Sequence, residues 1–297
     1  MNNLVLRAKR EKWLHAYLFI APIIVVFGLF RIYPSVQTLV FSFFKVNVVT
    51  KEYVPIGLQN FERLLTDSTF IKSIVNTAIF AVSIVTVSTI LGMVLAAMFN
   101  TNAKGSGVFR AIYFAPYITS TVAAAVVWGF LYDPKFGLFN YLLKMVGIPP
   151  QGWIADSKEA LLSIVIFSIW KTIGYNIVIF IAGLQNIPDN YYEAATIDGA
   201  GPLTKFLKIT MPLLASTTIF IVIYNTILAL KVFDQVFVLT AGGPADASTV
   251  VVLQIYKQAF ENYRFGYAAA MAFVLFVFLI VITVLQFTIS RRWEVET

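Results

Sequence analysis

Long apolar runs alternate along this chain with short polar connections. Ser73 to Ala103, Ala111 to Tyr132, Ile209 to Leu230 and Phe265 to Ser290 contain no formally charged residue. A helix needs about 20 mostly apolar residues to cross the hydrocarbon core, where lipid offers no partner to an open backbone group, so each run predicts one transmembrane span. Ala16 to Phe44 carries only Arg31, which can reach the headgroups if the helix ends near Pro34, and predicts a fifth. Ala160 to Pro188 is interrupted only by Lys171. The apolar run on either side of that lysine is too short to cross alone, and the two together predict a sixth span with a polar feature inside it. The expected spans are 14–36, 73–99, 109–132, 161–184, 210–232 and 265–290. The fold class is an all-α membrane protein of about six transmembrane helices.

Arg7, Lys9, Arg10 and Lys12 precede the first apolar run as they would in a cleaved signal. No small-residue cleavage site follows, and Phe27 to Tyr33 stays bulky, which favours an uncleaved first helix that also targets the chain. With both termini cytoplasmic, Lys and Arg in 1–13, 100–110, 185–208 and 291–297 are about twice as dense as in the outer pieces 38–72, 133–159 and 234–264, the sense of the positive-inside tendency. Arg291 and Arg292 after the last span and the basic cluster before the first are the strongest anchors. The division is then a cytoplasmic segment 1–13, a first helix, an outer loop 37–72, a core 73–290 and a cytoplasmic tail 291–297. Between Asp133 and Glu159 the prolines and glycines predict a turn-rich loop with one short helix near Phe139 to Met145.

Composition agrees with a lipid-facing surface, since 59% of residues are apolar and only 12% charged, with a mean hydropathy of +0.80. The net charge of +7 is scattered between apolar runs and not gathered with aromatics on one face, which argues against nucleic acid as a partner. The absence of Cys removes disulfides, thiolate nucleophiles and Cys-based metal sites, and the single His15 cannot build a His-based one. No catalytic, cofactor or metal site is expected.

The connection 185–212 differs from the others. Pro188 and Asp189 predict a helix start, Gly199 and Gly201 its end, and Pro202 a second short helix with Phe206, Ile209 and Leu213 on one face. Read by geometry alone, this is an amphipathic hairpin on the inner leaflet. Glu193, Ala194, Ala195, Gly199, and then Ile209, Met211 and Pro212 after a nine-residue gap, resemble the cytoplasmic signature of ABC importer permeases, with Met211 where the family usually has Leu. Gly183, Leu184, Gln185, Ile187 and Pro188 before it, with Asp198, Gly199 and Ala200 at its end, are similar to the carbohydrate branch of that family. So are Leu239, Thr240, Gly242, Gly243, Pro244 and Thr249, then Tyr256, Ala259, Phe260, Gly266 and Tyr267, together with Asn60, Phe61, Asn76 and Thr77. The resemblance runs from about residue 14 to the end.

This resemblance implies the type I importer permease fold and a translocation driven by a separate ATPase, which would bind the ATP and Mg. Lys104, Gly105, Ser106 and Gly107 are too short and in the wrong order for a phosphate-cradling G-x-x-x-x-G-K-[ST] loop. Glu193, Ala194, Ala195, Asp198 and Gly199 are then the ATPase-coupling residues. The implied partners are a second, homologous permease, more often a different chain than a copy, two ATPase subunits, an extracytoplasmic solute-binding protein, the membrane lipid and a carbohydrate.

Sugars are held by aromatic faces and convergent hydrogen bonds. Lys171, Thr172 and Tyr175 on the fourth span, and Tyr224, Asn225, Leu228 and Val232 on the fifth, are the pathway candidates. Structural readings stand beside them: Lys171 paired with Asp234, Tyr224 and Asn225 as interhelical glue, and Trp128 as an interfacial anchor and not a sugar platform. Lys171 and Lys231 also leave a phosphorylated or acidic solute open. The competing class is an ion-coupled secondary transporter, which needs carboxylates within its spans, and no Asp or Glu falls deep in a predicted span.

Overall fold

The computed structural model describes residues 17–47, 52–99 and 106–290. The basic amino-terminal segment with His15, the connection containing Lys104, and the tail with Arg291 and Arg292 lie outside the described residues. The chain forms two units, one of residues 1–64 with 257–274 and the other of 65–256 with 275–297.

In the first unit, helix α1 (Tyr17–Phe41) exposes its apolar side chains along its length, the disposition of a helix solvated by hydrocarbon. Pro34 lacks an N–H and crowds the carbonyl four residues back. The turn before it widens to π geometry over Gly28–Ile32, with the Tyr33 N–H donating to the Gly28 carbonyl. Ser35 and Thr38 fold their hydroxyls back onto the carbonyls of Arg31 and Pro34, at 2.7 and 2.8 Å. An antiparallel hairpin follows, β1 (Phe44–Asn47) on β2 (Glu52–Pro55), with Lys45 opposite Val54. The sequence reading placed only loop there. Helix α2 (Gln59–Thr66) is tied beneath it, because the Asn60 amide donates to the carbonyls of Ser42 and Phe44 at 2.8 and 3.1 Å.

The second unit holds the helical core. Asp67 caps α3 (Ser68–Phe99) by accepting from the N–H groups of Thr69 and Phe70, both at 3.0 Å. The span expected at 109–132 is not one helix. It is α4 (Ser106–Ile118) and α5 (Thr121–Leu131), which meet at 105°, with Ser120 starting the second by accepting from the Ala123 N–H. Helix α6 (Leu138–Met145) follows, and its buried Asn140 exchanges hydrogen bonds with Gln151, accepts from the Trp153 indole and donates to the Pro134 carbonyl. Trp128 packs here among Tyr132, Phe139, Phe167 and Trp170, at centroid distances of 5.0 to 5.4 Å, so its ring is part of a core.

Helix α7 (Ala160–Gln185) lies at the centre, with α3, α4 and α10 packed around it. Close approach is possible because of small residues. A Cβ on Gly174 would collide with the Tyr113 carbonyl of α4, and one on Gly92 of α3 would stand 2.7 Å from the Asn176 Cβ. After the short helix α8 (Asn190–Ile197) comes α9 (Pro202–Leu213), which turns by 67° into α10 (Ala215–Leu230), so the span expected from 210 begins at the bend. Helices α11 (Asp234–Thr240) and α12 (Val251–Tyr256) lead to α13 (Phe265–Ser290), which belongs to both units.

The loop between α11 and α12 is caged by α3. Lys72 Nζ donates to the Ala245 carbonyl at 2.8 Å, the Asn76 amide to the carbonyls of Ala247 and Thr249 at 3.1 and 2.9 Å, and Thr77 Oγ1 accepts from the Val251 N–H at 3.0 Å. Within the loop, Thr240 and Ser248 join hydroxyls at 2.7 Å beside a cis Gly243–Pro244 bond.

Candidate functional site

Two places in the second unit carry the chemistry singled out in the sequence. The first is a cavity of about 630 Å³ inside the helical core. Of the pathway candidates, Lys171 and Thr172 of α7 and Tyr224, Asn225, Leu228 and Val232 of α10 and its end line it. Tyr175 does not. Its ring packs beside the wall, with its centroid 4.8 Å from Tyr117 and 4.9 Å from Tyr224.

Sequence reasoning missed Tyr117, Ser168 and Gln235, which also line the cavity. Tyr117 and Tyr224 join hydroxyls at 2.9 Å across it. Tyr117 is there because α4 breaks two residues later. Pro116 followed by a Ser120 cap was the available signal.

The Lys171 ammonium is engaged, and not by Asp234. It donates to the carbonyls of Pro116 and Thr119 at 2.9 and 2.6 Å and, weakly, of Tyr117 at 3.5 Å, at the end of α4, where carbonyls lack partners within the helix; the Thr119 hydroxyl shares the Pro116 carbonyl. A cation at a helix carboxyl end is also favoured by the helix dipole. Lys171 is thus a fastening of α7 to the break, and the expected pairing with Asp234 does not form. Asp234 and Lys231 both stand on the cavity wall, so a carboxylate from just beyond the predicted span 210–232 borders this space.

Asn225 is buried, 1% exposed, and donates to Asn176 Oδ1 at 3.2 Å and, weakly, to Ser88 Oγ at 3.5 Å. The Asn225 carbonyl oxygen has no hydrogen-bond partner among the described residues. This oxygen, the side-chain Oδ1, is buried behind the wall, where an unpaired acceptor is costly.

The second place is the 185–212 connection. Helix α8 leaves Glu193, Ala194, Ile197 and Asp198 exposed, Ile197 at 88%. It ends in a Schellman motif: the Gly199 N–H donates to the Thr196 carbonyl at 3.1 Å and the Ala200 N–H to the Ala195 carbonyl at 2.9 Å, with Gly199 at φ +75°. Only glycine adopts that conformation without cost. Ala195 is half-buried beneath this turn. Two bonds fasten α8 to α9, Tyr192 Oη to Thr210 Oγ1 at 3.0 Å and Lys205 Nζ to Thr196 Oγ1 at 2.6 Å.

The profile of the binding-protein-dependent transport system inner membrane component family matches residues 88–295. The trehalose/maltose transport system permease protein MalF of Thermococcus litoralis is 36% identical over 293 residues, 98% of each chain. The sn-glycerol-3-phosphate transport system permease protein UgpA of Agrobacterium fabrum is 35% identical over 279 residues, 93% of this chain and 94% of that one. A crystal structure of a bacterial ABC transporter involved in the import of the acidic polysaccharide alginate contains a chain that superposes with a TM-score of 0.84 at 23% identity, covering 98% of this chain and 99% of that chain, so the two share one fold. The broken helices and the core around α7 thus lie within the stretch that the family profile matches, and this chain belongs to the family of binding-protein-dependent transport system inner membrane components.

Proposed function

We propose that the chain is the membrane-spanning subunit through which an ATP-driven importer passes a carbohydrate, with the cavity of α4, α7 and α10 as part of the path and α8 as the contact for the ATPase. The observation that carries this reading is a continuous mechanical connection. Helix α8 is fastened to α9 by the Tyr192–Thr210 and Lys205–Thr196 bonds, and α9 bends into α10, which carries Tyr224 and Asn225 on the cavity wall. A push on Glu193, Ala194, Ala195, Asp198 and Gly199 would reach the groups that touch solute. ATPase closure and cavity switching are then two ends of one displacement.

The wall suits a neutral, hydroxylated solute. Tyr117 and Tyr224 offer aromatic surface and two hydroxyls. The Lys171 charge is turned to backbone carbonyls, and Lys231 is balanced by Asp234 on the same wall. The relative named for trehalose and maltose therefore resembles this chain in its solute more than the relative named for glycerol phosphate. The rest of the machine is a second permease of the same family, two ATPase subunits that bind ATP and Mg, and an extracytoplasmic binding protein, with both termini of this chain in the cytoplasm.

One observation favours an ion-coupled transporter instead, the Asp234 carboxylate on the cavity wall. Vesicles holding the assembled complex separate the two readings. Uptake on ATP without an ion gradient, abolished when residues 193–199 are scrambled, is the expected outcome. Uptake on an ion gradient alone would overturn the proposal, and trehalose or maltose should stimulate ATP hydrolysis where glycerol phosphate does not.

A further inference from the structure

A second cavity, of about 470 Å³, lies wholly within the first unit, between the β1–β2 hairpin with α2 and the turn that starts α13. Lys45 of β1, Arg63 of α2 and Arg264 before α13 stand on its wall, and no acidic residue lines it. The guanidinium of Arg63 sits over the Tyr267 ring at 4.7 Å, which fixes its position. The backbone around the cleft is built tightly. The Asn60 amide holds the Ser42 and Phe44 carbonyls, Gly266 packs against the Phe44 carbonyl, and the Arg264 N–H donates to the Gln258 carbonyl at 2.7 Å. The amino-terminal end of the 26-residue α13 opens at the same place, through Gly266 and Tyr267, and adds the positive end of its dipole.

The depth of this cleft follows from the chain. After Arg31, Lys45 is the first charged residue beyond α1, and Arg264 is the last before the uncharged α13. Both mark the level at which hydrocarbon gives way to headgroups, and Tyr263 and Tyr267 supply the aromatic groups favoured there. We infer that the Lys45–Arg63–Arg264 cleft binds the phosphodiester headgroup of an anionic glycerophospholipid. Lys45 and Arg264, on a lining without a carboxylate, select a net negative headgroup over a zwitterionic one, and the position at the ends of two spans lets the acyl chains lie along apolar helix surface. An acidic protein surface would satisfy the charges, yet would gain nothing from a cleft at hydrocarbon level.

The test uses the full-length chain, purified from membranes of mixed phosphatidylglycerol and phosphatidylcholine, with retained lipid read by native mass spectrometry. Phosphatidylglycerol should be retained preferentially. In the double variant Lys45→Gln/Arg264→Gln that preference should fall about tenfold or more, each lost cation weakening attraction to the anionic headgroup. The matched variant Lys144→Gln/Lys158→Gln should retain it, and each single substitution should give an intermediate value. Inorganic phosphate and soluble glycerophosphoglycerol should not displace the lipid, whereas displacement at equal concentration would make the site one for free phosphate. Equal retention by the double variant and the unaltered chain would overturn the inference. Unchanged retention with weakened capture of an acidic solute-binding protein would assign the cleft to that protein.

Discussion

Lys171 shows how one residue type can suit two kinds of chemistry. A lysine inside a span suggests an anion receptor, but its three acceptors are backbone carbonyls at the end of α4. Lys171→Met leaves the Pro116 carbonyl to the Thr119 hydroxyl and strands the Thr119 carbonyl, at a cost of about 1–3 kcal/mol if left dry. Uptake should therefore fall alike for neutral and anionic solutes, and parallel transport assays with a disaccharide and a glycerol phosphate check this. A selective loss of the anionic solute would restore the receptor reading. Gly174→Ala is expected to destabilise the fold by roughly 1–3 kcal/mol through overpacking against the Tyr113 carbonyl, seen as a lower midpoint of thermal unfolding in detergent. The identity of these residues was legible in the sequence, and their partners were not. Lys171 and Tyr224 announce themselves as polar groups within apolar runs, whereas Tyr117 is an ordinary interfacial tyrosine until α4 is seen to break beside it.

At the scale of elements, the six apolar runs were readable because lipid imposes a length and a composition that nothing else in the chain imitates. The bends were not. Hydropathy is blind to direction, so Ala111 to Tyr132 reads as one run although Ser120 starts a new helix at 105°. The β1–β2 hairpin was hidden similarly, because its strands have only four residues each and the paired contacts that stabilise them are cross-strand. The proposed coupling rests on the α8–α9 connection. Tyr192→Phe with Thr210→Val removes the hydroxyl bond between the two helices and leaves their apolar surfaces in place. A net hydrogen bond is worth about 0.5–1.5 kcal/mol, too little to unfold the chain. The complex should therefore assemble and hydrolyse ATP while the solute transported per ATP falls, measured by uptake and phosphate release in the same vesicles.

For the whole molecule the open quantity is sidedness. The chain has no Cys, so a single introduced thiol is the only one present. Ile197→Cys on α8 and Phe136→Cys before α6 place it on residues 88% and 90% exposed. A membrane-impermeant maleimide should reach position 136 from outside intact cells and position 197 only after the membrane is opened. The reverse pattern would put α8 beyond reach of any cytoplasmic ATPase and end the coupling proposal.

The segment joining α11 to α12 has a consequence of its own. Three side chains of a span hold its carbonyls and an N–H, so a stretch rich in glycine and proline has the tethering of a buried strand. Its amides should exchange with deuterated solvent as slowly as those of the helices beside it, and an added protease should pass it by. A docking protein that landed there would meet an anvil, and its thrust would go straight into α3.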